Sequence, residues 1–535
     1  MHLKIKFSRS RYFNAGTKFM LTLRNTIRYF AIILMLGYIL SGCSAKLQSK
    51  NVVRKYSDRQ LQQDYDVLRN IMEKFHPSLY WYTSKDSMDM YFDQYRRLLT
   101  DSMNEQQFGF RVLAPLTTKI RCGHTSFNFS KSWSGLFRGV PLPSFPLHMK
   151  VWGDTMIVLN NLNKNDSLLK RGMQITSVNG LNPRQLSDAM FDYMPTDGFA
   201  ENINYIRISN SFPYYHRNII GLSKQYTVGY IDSSSQEKFA QVPYYNPYGD
   251  TVRAKKKKDP SKSIRKKIPR SERMKFYRSL SFDTANHLAV LSVHSFDDGY
   301  GLNKFYRKSF KAIRKQKSEH LAIDIRNNGG GRVNNYVRLA KYIRNTPFKV
   351  ADSAYSVTRK FGPYRKYFQR SLINSTAMRF FTRKEQDGAY HFRYWERHTF
   401  KPHTKKLFKG NVYVLIGGPT FSASTLFCNT VQGQNNVTLI GEETGGGHHG
   451  NNGLMIPYVT LPNTKMRVSM PLFRLVQYNH VPKNGRGVIP DITVMPVSTA
   501  IKQGIDLKME TVKSMITQRL ADTSQSRMNA DSSLR

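Results

Sequence analysis

The strongest constraint on the fold is a repeated order of apolar strand, glycine-rich turn and amphipathic helix. HLAVLSVHSF (287–296), HLAIDIRN (320–327) and VYVLIGG (412–418) are apolar runs with the length of strands. The apolar spacing between these runs predicts a basic helix near Asn303–Ser318 and a second helix over Asn334–Asn345. Strands and helices in alternation predict an α/β core.

The N-terminal part has a different pattern. Apolar residues recur at threes and fours from Ser57, which predicts a helix that ends near Pro77. Further helices are predicted over Ser87–Leu99 and Glu105–Leu116. Alternation then returns in IRCGHTSFNF (120–129), which predicts a strand.

The middle of the chain predicts a β-rich module. FPLHMKVWGDTMIVLN (145–160) predicts a hairpin around Gly153-Asp154. LLKRGMQITSVNGLNPRQL (168–186) resembles the carboxylate-loop half of a PDZ-like domain. Residues 253–273 hold eleven Lys/Arg against two acids, and Pro260 and Pro269 oppose helix, so we expect a mobile linker or exposed loop.

A length of 535 residues favours two or three domains. We predict seven segments: 1–43 signal peptide, 44–56 tether, 57–135 helical segment with a strand carrying the candidate base, 140–250 PDZ-like domain, 251–274 basic linker, 275–500 α/β core, and 501–535 C-terminal helix with a polar tail.

The formal net charge of +46 favours anionic partners. The sequence contains no motif that would direct this charge to nucleic acid: there is no helix-turn-helix cue, zinc-finger spacing or RNA-binding aromatic signature. We therefore predict no specific nucleic-acid partner. A solvated basic surface is the preferred interpretation. A scaffold that lies on anionic membrane through residues 253–273 is a further hypothesis.

The segment 20–46 has the features of an export signal. Arg24 and Arg28 precede an apolar run, Tyr29–Leu40, which is too short to span a bilayer comfortably. Leu40-Ser41-Gly42-Cys43 looks like a bacterial lipobox, which implies cleavage before Cys43 and lipidation of its thiol. We therefore expect an exported protein of the bacterial cell envelope, attached to a membrane through its lipid.

The two cysteines that remain beyond this signal, Cys122 and Cys428, form no disulfide framework and have no metal-ligand spacing. One bridge between them stays open as an alternative, but two buried free thiols are the preferred interpretation. We predict no metal and no cofactor.

Two glycine-rich turns contain the candidate catalytic residues. Gly329-Gly330-Gly331 lies between a strand and a helix, where backbone amides can approach a developing negative charge. In GGPTFSAST (417–425), Ser422 precedes a predicted helix, so its hydroxyl would gain the helix dipole and the amide of Ala423. Taken alone, the triple glycine equally fits a tight turn, and Ser422 better fits a helix N-cap.

DIRNNGGG, SAST and GEETGGG, in that order after a PDZ-like segment, resemble the C-terminal processing (tail-specific) serine peptidase family. The helical start and CGHTSF match its broader set, which includes the tricorn core protease. The similarity covers about residues 55–495. It implies a crotonase-like core of ββα units, PDZ-like and helical N-terminal parts, and peptide hydrolysis through a serine acyl-enzyme.

The same resemblance implies particular roles. Ser422 matches the nucleophile, with Thr425 where the family usually has glutamate. Ala423 and Gly330 match the donors of the oxyanion hole, with Gly331 the neighbour of Gly330. The lysine base of the serine–lysine members is missing, because Thr444 is followed by three glycines, and Lys465 lies too far along the chain.

Gly123-His124-Thr125 supplies an alternative base, because tricorn-like members place a histidine in a similar short segment. His124 would accept the serine proton and return it to the leaving amine. The pair His448-His449 is a rival base and a weak metal candidate. In tricorn-like enzymes a serine before the histidine and a distant glutamate orient the base. Here Gly123 replaces that serine, and we assign the role of the distant acid to Asp491, with Glu442 or Glu443 as weaker candidates.

These observations predict a serine peptidase of the bacterial envelope that acts on peptides or proteins, including their C-termini. The PDZ-like segment is predicted to capture a strand or gate the cleft. The alternative is a non-catalytic peptide- or lipophile-binding lipoprotein on the same fold.

Overall fold

The computed structural model describes residues 53–100, 102–249 and 268–533. The predicted signal segment with Cys43, most of the tether and most of the basic linker lie outside the described residues. The last residues of the predicted basic linker are helical instead of forming a loop. Pro269 is the N-cap of a helix, Arg270–Tyr277. Within the described part, no helix is both long and apolar enough to cross a membrane.

The N-terminal segment is helical, as its apolar spacing predicts. α1 (Asp58–Phe75) begins at a capping box between Ser57 and Gln60, and its apolar side chains at threes and fours are buried. The second predicted helix is α2 (Lys85–Arg97). The third is split into α3 (Glu105–Phe108), a π-helical turn (Gly109–Leu113) and α4 (Ala114–Lys119).

The predicted strand over 120–129 is much shorter than expected. Only Phe127–Asn128 is extended, and it pairs with Arg467–Ser469, a strand of the C-terminal half. His124 lies in the turn before it, where the Thr125 amide donates to Cys122 O at 3.0 Å. The prediction of a strand carrying the base is therefore wrong, because the backbone around His124 forms a turn and the strand begins only at Phe127. A short helix, α5 (Lys131–Leu136), follows.

The middle of the chain forms an antiparallel five-stranded sheet in chain order. The predicted hairpin joins the first two strands at Gly153 and Asp154. Helices α6 (Pro183–Phe191) and α7 (Asn202–Tyr215) pack on this sheet, and a π-helical turn (His216–Ile220) follows α7. The five strands are β4 (Leu147–Trp152), β5 (Thr155–Asn161), β6 (Gln174–Val178), β7 (Gln225–Ile231) and β8 (Glu237–Pro243), after the short strands β1 (Lys55–Tyr56), β2 (Met103–Asn104) and β3 (Phe127–Asn128).

The first edge strand of this sheet, β4, is partly covered by α7. Ser209 Oγ accepts a hydrogen bond from the Val151 amide at 2.9 Å, and both residues are buried or nearly so. Because an edge amide with a partner is not free to pair with another chain, α7 closes part of this edge to strand addition.

The C-terminal half is built on a six-stranded sheet whose four central strands and one edge strand run parallel. β9 pairs antiparallel with β10 at the other edge. Parallel strands place all their carboxyl ends at one edge of the sheet, where ligands bind in α/β folds. The strand order is β21 (Ile492–Thr493), β16 (Val437–Gly441), β15 (Asn411–Ile416), β11 (His320–Asp324), β10 (Leu288–Val293) and β9 (Arg278–Asp283).

Helices cover this sheet on both faces. The predicted helices appear as α9 (Leu302–Lys315) and α10 (Val333–Ala340), after α8 (Arg270–Tyr277). One face packs on α9, α10 and the helix after Ser422, and the other on the long C-terminal helix through Val512 and Ile516. The remaining helices of this half are α11 (Ser371–Phe381), α12 (Arg393–Arg397), α13 (Ala423–Val431), α14 (Ser498–Gln503) and α15 (Leu507–Ser533), with 3-10 turns at Gly362–Tyr367 and Thr404–Lys406.

Two smaller sheets complete the half. One has five strands and carries α11 and α12 beside it; the other joins β3 to the C-terminal half. The strands of these sheets are β12 (Ala351–Ser356), β13 (Arg383–Lys384), β14 (Tyr390–His391), β17 (Gly450–Asn451), β18 (Tyr458–Thr460), β19 (Arg467–Ser469) and β20 (Arg474–Gln477). The predicted mixed α/β architecture is confirmed.

Candidate active site

Ser422 lies at the carboxyl edge of the parallel sheet, between β15 and α13. Its backbone has φ 55° and ψ −121°, a conformation that non-glycine residues rarely adopt. The turn is held on both sides of the serine, because the Phe421 amide donates to Asn328 O at 3.1 Å and the Ser424 amide donates to Phe421 O at 3.1 Å. A strained residue fixed in this way is typical of a functional site.

The alternative interpretation of Ser422 as a helix cap is not supported. The residue occupies the N-cap position of α13, but its hydroxyl makes no capping hydrogen bond. Ser422 also lines an open cleft, whereas Ser424 is fully buried and its hydroxyl lacks a hydrogen-bond partner in the structure. Of the two serines, Ser422 is the one that a substrate can reach.

The triple glycine lies directly beside Ser422, since β11 and β15 are neighbouring strands. Gly330 has φ 104°, and a methyl group on it would lie 2.8 Å from Ser422 Cβ and 3.0 Å from the Ala423 nitrogen. Only glycine fits this position without displacing the serine, for reasons of both space and backbone conformation.

The amide of Gly330 is already occupied, because it donates to Asn328 Oδ1 at 2.9 Å. Gly331, with φ 136°, lines the cleft. Within the described residues, no acceptor is found for the amides of Gly331 and Ala423. The geometry therefore favours Gly331 over Gly330 as the second donor to an oxyanion, which corrects the role that the sequence suggested for Gly330.

His124 and Ser422 converge although they are far apart in sequence. A methyl group on Gly453 would lie 2.7 Å from Ser422 Oγ and 3.1 Å from His124 Nε2, so both atoms border the same small space. The imidazole also packs against the ring of Phe421, with centroids 4.9 Å apart. The nitrogen that faces the serine is thus Nε2.

The other imidazole nitrogen faces a carboxylate. His124 Nδ1 lies 3.7 Å from Asp197 Oδ1, and these two side chains are only 8% and 5% exposed. Asp197 Oδ1 accepts the Gly123 amide at 2.9 Å. His124 Nδ1 and Asp197 Oδ2 are buried without hydrogen-bond partners in the structure. A small rotation would bring Nδ1–H and this carboxylate into hydrogen-bond range, as in a serine–histidine–aspartate arrangement.

A second polar network stabilises the turn that carries His124. His76 Nδ1 accepts the Ser78 amide at 3.1 Å, so the proton of this imidazole is on Nε2, which donates to Thr125 Oγ1 at 2.8 Å. Burial lowers the pKa of His76 to about 3. His76 is therefore a neutral packing residue.

The cleft beside Ser422 has a volume of about 1220 Å³. One wall is apolar and largely aromatic, and the other carries Asp297, Asp298 and Arg332, of which Arg332 donates to Asp298 at 2.8 Å. Clefts of this kind, apolar with few polar groups, are typical of substrate sites. The apolar wall consists of Phe381, Phe392, Tyr394, Trp395, Leu454, Met455, Ile456 and Phe473.

Comparison with known families gives a match in the C-terminal half of the chain. The sequence profile described as peptidase family S41 matches residues 287–494, a range that includes the triple glycine and Ser422. This match supports the C-terminal processing peptidase family. The predicted family and the class of serine peptidase are confirmed. No curated protein sequence matches the chain.

A solved structure shares its fold with this chain over most of the chain's length. Mature CPAF complexed with lactacystin is 14% identical, with 87% of this chain and 99% of that chain covered and a TM-score of 0.59, which shows a shared fold. The photosystem II D1 C-terminal processing protease is 14% identical over 81% of this chain and 93% of that chain, with a TM-score of 0.37. The tricorn protease is 12% identical over 87% and 37%, with a TM-score of 0.36.

The partners of Asp491 are groups other than His124. One Asp491 oxygen accepts the Leu439 amide at 2.7 Å, and the other accepts from Gln432 Nε2 at 3.2 Å. These bonds join the edge strand of the parallel sheet to its neighbours. Assigning Asp491 as the orienting acid is therefore wrong on geometry, and Asp197 is the carboxylate that lies next to the imidazole.

The weaker acid candidates are also engaged elsewhere. Glu442 lies 3.4 Å from Lys508 Nζ, and Glu443 pairs with Arg486.

The rival bases have other partners too. His448 Nε2 is bonded to Asn429 at 3.0 Å and His449 Nδ1 to Val481 O at 3.0 Å, and burial lowers the pKa of both. Lys465 Nζ donates to Pro462 O on the surface. None of these three side chains lines the cleft beside Ser422.

Sequence reasoning missed Asp197 because its segment, PTDGF, has no periodic pattern. The loop is placed by backbone bonds of Gly198 to Arg121 O and of Phe199 to Gly485 O. Turns of this composition are common, so only the contact with His124 in the folded structure distinguishes this aspartate.

Proposed function

We propose that the chain cleaves peptide bonds with Ser422 as nucleophile, His124 as general base and Asp197 as the residue that positions the imidazole. The single observation that carries the proposal is the two-sided contact of His124. Its Nε2 borders the same space as Ser422 Oγ, and its Nδ1 faces Asp197 at 3.7 Å. Among the described residues, no other histidine and no lysine lines the cleft.

In acylation, Ser422 Oγ attacks the carbonyl carbon of the substrate while its proton moves to His124 Nε2. The carbonyl oxygen becomes negative and accepts hydrogen bonds from the amides of Ala423 and Gly331. His124 then gives the proton to the leaving nitrogen, the C–N bond breaks, and an acyl-enzyme remains on Ser422.

In deacylation, water takes the place of the leaving amine. His124 Nε2 accepts a proton from the water, whose oxygen attacks the acyl carbon. The ester bond breaks, Ser422 Oγ regains its proton, and the new carboxyl group leaves. The carboxylate of Asp197 keeps the proton of the resting imidazole on Nδ1, which leaves Nε2 free to act as a base.

The finer assignments are part of the same proposal. We regard the sheet β4–β8 with its helices as PDZ-like and the parallel sheet as crotonase-like. The substrates proposed are peptides or proteins, processed at or near their C-termini. The site of action proposed is the bacterial envelope, with a membrane anchor through lipid on Cys43. Failure of Cys43→Ala to abolish incorporation of labelled palmitate would disprove the anchor.

The catalytic proposal is tested by labelling and by activity together. A serine-directed phosphonate should label Ser422, identified by peptide mass spectrometry, and Ser422→Ala should abolish both the label and peptide cleavage. Ser424→Ala is the matched control, because this buried neighbour is not exposed to the cleft. His124→Ala should retain binding of a peptide but lose cleavage. Full cleavage by Ser422→Ala or His124→Ala would refute the mechanism, and a folded chain without label or cleavage would indicate a peptide-binding protein.

A further inference from the structure

Three side chains with different ligand atoms meet on the side of His124 that is turned away from Ser422. Cys122 Sγ, one nitrogen of His124 and one oxygen of Asp197 all lie within 4.8 Å of one another. The sequence shows no metal-binding spacing, because Cys122 and His124 are two residues apart and the third ligand comes from the loop that carries Asp197.

A second observation indicates that this cluster lacks a binding partner. His124 Nδ1 and Asp197 Oδ2 are buried and have no hydrogen-bond partner in the structure, and both side chains are more than nine-tenths buried. A buried polar atom without a partner costs free energy, on the order of 1–3 kcal/mol. A cation placed between the three residues would bind the imidazole lone pair and the carboxylate at once.

We propose that Cys122, His124 and Asp197 form a site for a thiophilic divalent cation of the Zn²⁺ type, and that its occupancy switches the peptidase off. The inference rests on the catalytic role given to His124 above. Zinc binds thiolate, imidazole and carboxylate at about 2.0–2.3 Å, commonly through three protein ligands with a fourth position for water. The three atoms need only a small closing movement to reach such distances.

The reason for inhibition lies in the two imidazole nitrogens. A cation on Nδ1 uses the lone pair of that nitrogen, so the proton of the neutral ring must sit on Nε2. Nε2 is the nitrogen that has to accept the proton of Ser422. Metal binding therefore removes the base without touching the nucleophile or the cleft.

Binding also releases a proton. The Cys122 thiol gives up its hydrogen as the sulfur–metal bond forms, so one H⁺ appears for each ion bound at a pH below the thiol pKa. The affinity should consequently rise with pH, because proton release accompanies binding.

The surroundings of the sulfur support a defined site. Asn452 Nδ2 donates to Cys122 Sγ at 3.0 Å, and Ser78 Oγ donates to Asn452 Oδ1 at 2.8 Å. Bonds from a second layer of residues fix the orientation of ligand atoms and typically change metal affinity by 10- to 100-fold. The second cysteine, Cys428, is buried and belongs to no such group of three potential ligands in the part of the chain that the structure describes.

Binding is tested with the full-length chain and Co²⁺, which gives a thiolate-to-cobalt charge-transfer band when sulfur is a ligand. The catalytically inactive Ser422→Ala chain should show this band at one equivalent, with release of one proton, and Zn²⁺ should displace the cobalt. Cys122→Ser should lose the band and bind at least about 100-fold more weakly. Cys428→Ser is the matched control and should keep the band. Absence of the band in Ser422→Ala with its fold intact overturns the proposal.

Inhibition is measured as the ratio of activity with and without added Zn²⁺ in each variant, so that basal differences cancel. The wild-type chain should lose activity with Zn²⁺ and recover it with a chelator, whereas Mg²⁺ should have no effect, since it prefers oxygen ligands. Cys122→Ser and, if that variant does not fold, Cys122→Ala should resist Zn²⁺. Inhibition of Cys122→Ser as strong as that of the wild type overturns the proposal. A cobalt band in a chain that cleaves no peptide would support the metal site while refuting the proposed function.

Discussion

Gly123 and Phe421 approach so closely that no side chain fits between them. A methyl group on Gly123 would lie 2.7 Å from Phe421 Cζ and 3.2 Å from the Asp197 nitrogen. Phe421 precedes Ser422, the proposed nucleophile, and Gly123 precedes His124, the proposed base. The contact therefore couples the two segments, because a side chain on Gly123 would have to displace Phe421 or the Asp197 loop.

Gly123→Ala should consequently damage the site more than the fold. Overpacking typically costs about 1–3 kcal/mol, and the added methyl group must push Phe421 or the His124 turn aside. We expect a lower free energy of unfolding by that amount and a larger fall in kcat than in KM. Thermal unfolding and steady-state kinetics measure the two effects.

Gly135→Ala is the control for this substitution, because no atom lies within 4 Å of the position of the new methyl group and the residue is in a helix. It should be neutral or slightly stabilising. Equal kcat values for Gly123→Ala and the wild type would show that the contact does not position the base.

Asp197→Asn should leave the fold intact and lower kcat by about 10²–10⁴. The amide oxygen of asparagine can still accept the Gly123 amide, but an amide NH₂ beside Nδ1 would favour the tautomer with its proton on Nε2. KM should change little. Asp192→Asn, which alters an aspartate with a 66% exposed side chain, is the control and should keep activity. Activity of Asp197→Asn near that of the wild type would exclude Asp197 as the positioning residue.

The buried imidazole of His76 should make the protein acid-sensitive. Its pKa is lowered by burial to about 3 in the folded chain, below the 6.5 of an ordinary histidine. The unfolded chain therefore binds a proton first, so the stabilising contribution is complete above pH 6.5 and is lost as the pH falls towards 3. The loss amounts to at most about 1.4 kcal/mol per pH unit for each such histidine.

Urea unfolding between pH 7 and pH 4 measures this slope. His216, whose pKa is lowered by burial to about 4, adds to it. His76→Gln should be less stable at pH 7 but lose stability less steeply on acidification. His480→Gln, at an exposed position, should keep the wild-type slope. A slope that is unchanged in His76→Gln would contradict the prediction.

The aromatic wall of the cleft should select bulky apolar side chains. Phe381 is 61% exposed, lines the cleft and stacks on Phe392 at 5.6 Å, while its neighbour Phe380 is 75% exposed and does not line the cleft. Phe381→Ala should raise KM for peptides with Phe or Leu near the scissile bond by several-fold, corresponding to about 1 kcal/mol. Phe380→Ala should not. A matched set of fluorogenic peptides with Phe, Leu, Asp or Lys at one position provides the measurement, and equal KM values across the set would contradict the prediction.

The core and the nucleophile could be predicted because local patterns determine them. Continuous apolar runs are typical of strands buried on both faces, and β11 and β15 are such strands. Parallel neighbours share an edge, so a glycine turn after one strand and a serine after the next must lie close together. This rule accounts for the proximity of Ser422, Gly331 and Ala423, whereas their catalytic roles are implied by the family resemblance.

The positioning acid and the cleft wall could not be predicted in the same way. Asp197 lies in a loop that depends on contacts with Arg121 and Gly485, and nothing in its own sequence distinguishes it from a surface turn. Asp491 follows a conspicuous motif, yet its carboxylate binds the backbone of a neighbouring strand. The aromatic wall combines residues of α11, α12 and two loops, and their shared orientation arises only from tertiary packing.

The convergence of Gly123, Asp197 and Phe421 also has a consequence for biosynthesis. The turn that carries the base and the loop that carries the acid leave the ribosome well before the strand and helix around Ser422. Neither half of the catalytic apparatus can act until β15 has joined the parallel sheet and Phe421 has closed against Gly123. On the proposed mechanism, a nascent or truncated chain that lacks this contact should therefore have no hydrolytic activity.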